Sequence, residues 1–117
     1  MISFFANLRG LFVTSFLVFF FIPLNFAVAQ YGGGLIFPNS DRSSLDWPEL
    51  RDLSCRELEI ARNEIYARRG RYFNRSDLTS HFVQFSWYRP YTWNPELSPV
   101  EGANVNIIQQ AERARRC

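Results

Sequence analysis

Ser54 to Gly70 reads S-C-R-E-L-E-I-A-R-N-E-I-Y-A-R-R-G, and this stretch decides the fold. Ser54 with Glu57 three residues on is a capping box, in which the hydroxyl accepts from the Glu N–H and the carboxylate reaches back to the Ser N–H. Leu53 and Leu58 are spaced as a hydrophobic staple around it. Glu57 and Glu59 stand near the positive start of the helix dipole, and Arg68 and Arg69 near its negative end. Gly70 is the residue type that takes the left-handed conformation closing a helix, so the predicted helix runs to Arg69. Glu64 and Arg68 are spaced as an i,i+4 ion pair. Leu58, Ala61 and Ile65 form one apolar stripe, while Ile60 and Ala67 lie on the opposite side. A helix with two apolar sides needs neighbours on both, which makes this the central helix.

Working outward, similar start signals recur. Asp46-Trp47-Pro48-Glu49 is a second capping box, opening a short helical turn over 47–52. Downstream, Asn74 or Ser76 can cap a segment over 76–86, in which Leu78, Phe82 and Phe85 share a face with His81 at its edge. That segment ends ahead of Pro90, because the residue before proline avoids the helical region. An aromatic loop, P-Y-T-W-N-P-E-L, fills 90–97. Ser98-Pro99-Val100-Glu101 is the third capping box, and Val100, Ala103, Ile107, Ala111 and Ala114 then recur at helical spacing. No stretch alternates with β-branched enrichment. The expected fold is all-α: a small bundle of three helices plus a short N-terminal helical turn, one core and no sheet.

The first thirty residues have a different character. Residues 1–9 carry one Arg, 11–22 are the apolar run L-F-V-T-S-F-L-V-F-F-F-I, Pro23 breaks it, and Ala27-Val28-Ala29 supplies the small residues of a cleavage site. This is a secretory signal peptide over 1–29, removed after Ala29. Residues 30–44, with three consecutive Gly and a Pro-Asn-Ser stretch, read as a flexible leader, and 45–117 as the domain. After cleavage no stable membrane span is expected. With 117 residues there is room for one domain. Thirteen basic residues, all Arg, against eleven acidic ones give a net charge of +2, too small a basic excess for an electrostatic nucleic-acid binder.

Export changes how the two cysteines read. In an oxidising compartment an even count suggests pairing, and Cys55 with Cys117 can form one intramolecular bond. Closing a loop of about 60 residues is worth about 4 kcal/mol in the chain-entropy model. Two free or intermolecular thiols are the other reading of the same residues.

The run from Glu57 to Gly70 closely resembles the YARHG domain family, whose name is matched here by Tyr66-Ala67-Arg68-Arg69-Gly70. The resemblance continues through Phe73, Asp77-Leu78, Phe82, Trp87-Tyr88 with Pro90, and Leu97-Ser98 with Glu101. Upstream, Phe37-Pro38-Asn39-Ser40 and Leu50-Arg51-Asp52-Leu53-Ser54 look like the usual lead-in, so about 36–112 is covered. Arg69 stands where the name has His, and His81 where an aromatic residue is common. The resemblance implies an extracytoplasmic bacterial domain. The family has no assigned molecular function, so no catalytic residue is carried over.

The candidate chemistry divides into four groups. Arg62, Asn63, Glu64 and Tyr66, with Ala67, Arg68, Arg69 and Gly70 of the motif, are dense polar positions mid-helix. They read either as a recognition surface with Arg62 and Arg68 as bidentate donors or as internal ligands for loop carbonyls and amides, and a domain this small favours the second. His81 has no nucleophile or orienting acid in pattern with it, and one His with distant Cys is not a metal motif. Glu57 and Glu64 face one way, but the capping box explains Glu57 and Arg68 explains Glu64. Among the aromatics, Trp87 and Tyr88 are expected in the core and Tyr91 and Trp93 at the surface.

The expected function is therefore a non-catalytic binding module, periplasmic or secreted, without cofactor or metal. Its partner would be a cell-envelope component, peptidoglycan or another glycan, met through Tyr91, Trp93 and Arg89. The alternative is a structural or regulatory domain that binds another exported protein. An exposed Trp93 beside a groove favours the first, and a flat apolar patch the second.

Overall fold

The computed structural model describes residues 34–117. The expected signal peptide and its cleavage point lie outside them. Four helices follow in order: α1 (Trp47–Leu50), α2 (Cys55–Arg68), α3 (Ser76–Phe82) and α4 (Pro99–Ala114). Among the described residues there is no strand or sheet, and the only pairing of that kind is an isolated bridge between Arg71 and Thr92.

The capping boxes start the helices as expected. The Ser54 N–H donates to Glu57 Oε2 at 2.7 Å and the Glu57 N–H to Ser54 Oγ at 3.2 Å. Ser98 and Glu101 repeat the exchange at 3.0 and 3.3 Å at the head of α4. At the far end of α2, Gly70 has φ +78°. Its N–H donates to Ala67 O at 3.0 Å and that of Arg71 to Tyr66 O at 3.2 Å. This 5→2 and 6→1 pair is a Schellman closure, which returns two orphan carbonyls to hydrogen bonds.

α2 is central, with a packed cluster on each side. Leu58, Ala61 and Ile65 meet Val105, Ile108 and Ala111 of α4 together with Leu45 and Leu50. Ile60 and Ala67 meet Leu78 and Phe82 of α3 and Tyr88 of the following loop. The ring pairs Phe73–Phe82, Phe82–Tyr88 and Phe85–Trp87 lie 5.2, 5.8 and 5.5 Å apart at their centroids, the range in which aromatic pairs gain beyond their area. Tyr88 is buried and its hydroxyl donates to Arg71 O at 2.7 Å.

The structure corrects three details. α3 ends at Phe82 rather than 86, with the chain turning through Phe85, and its N-cap position is Arg75, which makes no side-chain cap. The buried face of α4 is Glu101, Asn104, Val105, Ile108 and Ala111, whereas Ala103 and Ala114 are exposed and Ile107 is half-buried. The helix is rotated by about one position from the apolar stripe, because Glu101 and Asn104 are buried with full hydrogen bonding and apolar spacing cannot see them. The described part of the leader, 34–44, is not a free tether. Asn104 holds it by accepting the Leu45 N–H at 2.8 Å and donating to Ser40 O and Ser43 O at 2.8 and 2.9 Å.

Candidate ligand-binding cleft

The motif on α2 turns inward. Arg62 makes a fork onto Glu112 of α4, with Nε to Oε2 at 3.0 Å and Nη2 to Oε1 at 3.2 Å. Asn63 donates to Glu59 O at 2.9 Å. Arg68 reaches Asp41 at 3.3 Å and Ser40 Oγ at 3.3 Å. Arg69 spans to Glu101, with Nε 3.0 Å from each carboxylate oxygen. Burial alone would raise the Glu101 carboxyl, but the Arg69 guanidinium and the Ser98 N–H outweigh it and hold the group below the usual range. Ala67 is in the core and Gly70 in the closure already described.

Glu64 departs from its expected pairing. It is 1 % exposed, and both its oxygens lie 2.9 Å from the Ile36 N–H, which donates to them. Arg68 has turned to Asp41 instead. Burial pushes the Glu64 carboxyl up to about 7, against the pull of the Ile36 and Phe37 N–H groups and of Arg68. The carboxylate therefore fastens the lead-in segment to the middle of α2.

Backbone hydrogen bonds hold the aromatic loop against the end of α2. The Tyr91 and Thr92 N–H groups donate to Gly70 O at 2.8 and 3.0 Å, and the Tyr72 N–H donates to Thr92 O at 2.8 Å. Close contact follows at Gly70, where a Cβ would fall 2.2 Å from Tyr91 Cε1. This register sets Trp93 beside Tyr72, with ring centroids 5.2 Å apart, and leaves Trp93 54 % and Tyr91 74 % exposed. Trp93 and Tyr72 border an open cleft of about 260 Å³ whose other walls include Arg62, Asn63, Arg71 and Arg75. Arg89 and Tyr91 are exposed but do not line this cleft, so the structure separates them from Trp93.

Arg71 is the residue the sequence reading missed. Its guanidinium lies over the rings of Tyr66 and Phe73, 4.9 and 5.8 Å from their centroids. Among the described residues it has no ion-pair partner, and its Nε is buried without an acceptor. Its signal in the sequence is local: no Asp or Glu occurs within five residues on either side.

The remaining candidates are more ordinary. A wider hollow of about 440 Å³ lies by Cys55 and Cys117, but its charged walls are paired among themselves, Arg56 with Glu59 at 2.9 Å and Arg62 with Glu112 at 3.0 Å. His81 stacks edge-on to Phe82 and Phe85, and burial, then Arg56, lowers its pKa. Among the described residues no three His, Cys, Asp or Glu gather as metal ligands, and no helix is long and apolar enough to cross a membrane.

Cys55 and Cys117 are joined, with Cα atoms 5.5 Å apart, across 62 positions of sequence. A helical module closed by a disulfide, with an aromatic-edged cleft alongside its central helix, is the class that fold and site define. The chain belongs to the YARHG family: the family model, described as YARHG domain, matches residues 34–113. YARHG is a domain of exported proteins, and the disulfide fits an extracytoplasmic setting. No curated protein and no solved structure matches the chain.

Proposed function

We propose that this is a non-catalytic binding module, exported to the periplasm or beyond, whose ligand is a glycan of the cell envelope such as peptidoglycan. The observation that carries the reading is Trp93, half-exposed and set against Tyr72 at a tilt of 41° at the edge of a cleft rather than within a flat apolar patch. An indole face beside a polar hollow suits the C–H face of a sugar ring, with hydrogen-bonding groups opposite it. Apart from Arg62 and Asn63, which border the cleft, the motif residues of α2 serve this module by fixing the lead-in and α4. The test is co-sedimentation of the chain, purified from the exported fraction, with isolated peptidoglycan sacculi at two salt concentrations. Pelleting that resists salt and is lost in Trp93→Ala is the expected result. Absence of pelleting refutes the glycan reading and turns the search to an exported protein partner.

A further inference from the structure

The charge inside the cleft is uneven. Three guanidinium groups line it, together with the carboxylate of Glu59, which is paired with Arg56 and Arg75. Arg62 is neutralised by Glu112, and Arg75 by Asp77 and Glu59. Among the described residues, Arg71 alone of the half-buried arginines has no carboxylate partner. A partly buried cation without an anion is costly. The cation–π contacts with Tyr66 and Phe73 offset some of that cost. What remains is a set of donors lining a cleft, carrying one uncompensated positive charge, with an exposed indole on the same cleft.

We propose that the cleft takes an acidic saccharide, its carboxylate on Arg71 and its sugar ring on the Trp93–Tyr72 face; this rests on the glycan reading above. The planar guanidinium matches a carboxylate by two parallel N–H donations, a geometry an ammonium cannot reproduce. One uncompensated charge suits a monoanion better than a phosphate dianion. The volume of about 260 Å³ lies below that of sites for drug-sized ligands, so a single ring and its acidic substituent fill it. Asn63, whose amide nitrogen is already committed to Glu59 O, leaves its side-chain carbonyl to accept from a ring hydroxyl.

The test is NMR titration of the full exported chain, following the Trp93 indole N–H and the Arg71 Nε–H cross-peaks. The probes are matched pairs: glucuronate against glucose, N-acetylmuramate against N-acetylglucosamine, and inorganic phosphate as the anion alone. Both acids should move both cross-peaks and bind about tenfold more tightly than their neutral twins, the worth of a charge-assisted pair. Arg71→Gln should bring that ratio to about one while keeping the weaker neutral binding, and Arg71→Lys should cut the preference several-fold without abolishing it. Equal binding of acid and neutral sugars to the unaltered chain overturns the role of Arg71 and spares the glycan reading. No shift with any saccharide overturns both. Phosphate binding as tightly as the acids overturns the proposal in favour of a plain anion site. Should Arg71→Gln fail to fold, Arg71→Lys decides, since an undiminished preference there overturns the fork geometry.

Discussion

The two sides of α2 are built from different materials. Toward α4 the packing is aliphatic: Leu58, Ala61 and Ile65 against Val105, Ile108 and Ala111. Branched side chains interdigitate to a dense layer. The polar groups buried there, Glu64, Glu101 and Asn104, are bound within the chain. Toward α3 the packing is aromatic, with Phe82 and Tyr88 buried and Phe73, Phe85 and Trp87 half-buried around them. Flat rings are few and rigid, and their layer gives out at the Arg71–Trp93 cleft, where a cation is left without an anion. The aliphatic side concentrates stability and the aromatic side leaves chemistry open to a ligand.

The largest expected effect breaks the aliphatic side. The disulfide ties the start of α2 to the residues after α4, so Cys55→Ser should cost about 4 kcal/mol under oxidising conditions, read as the fall in urea midpoint. After reduction the variant and the unaltered chain should unfold alike, and equal midpoints before reduction would show that the bond adds nothing.

Next comes pH. The folded-state pKa of Glu64 is raised from 4.5 to about 7. Its contribution is therefore fully present below about pH 4.5 and is lost as pH rises through about 7, roughly 3 kcal/mol in all. His81 works the other way, since its lowered pKa favours the neutral form and loses stability as pH falls below 6.5. The Glu64 share is thus the difference between the chain and Glu64→Gln, measured by urea unfolding at pH 4.5 and 7.5. A difference that does not change with pH would mean that folding leaves the carboxyl's pKa unchanged.

Gly70→Val should cost about 2 kcal/mol, because a β-branched residue resists φ +78° and its Cβ would strike the Tyr91 ring. Gly70→Ala should cost less, and thermal melting of the two separates backbone strain from crowding. The smallest effect falls on the cleft: Trp93→Ala should stay within about 0.5 kcal/mol of the unaltered chain while ligand binding is lost. A large drop in melting temperature would make Trp93 part of the core and erase the contrast between the two sides.

Much of the fold was legible because helix starts have local chemistry. Each Ser or Asp with Glu three residues on marked a helix within a residue or two, and Gly70 marked an end. The two-sided pattern of α2 predicted both clusters. What escaped depends on partners far away in sequence. Asn104 is buried because it satisfies the chain at Ser40, Ser43 and Leu45, and that rotates α4 away from its apolar stripe. Glu64 serves Ile36 rather than the neighbouring Arg68 because a buried N–H without an acceptor costs more than a surface ion pair returns. Of the expected ligand surface, Trp93 was legible as an exposed ring in a proline-bounded loop. Arg71 was not singled out, because its lack of an acid is informative only once the cleft beside it is seen.

The bond between Cys55 and Cys117 makes a covalent ring that contains α2, α3 and α4. Between α3 and α4 the chain presents the exposed side chains Val83 and Trp93 to any protease. A single cut there opens the ring without releasing a fragment. The halves remain one molecule, their helices still packed, and should migrate as one species until a reductant is added. For a domain of a family found in exported proteins, tolerance of nicking extends working life without added stability.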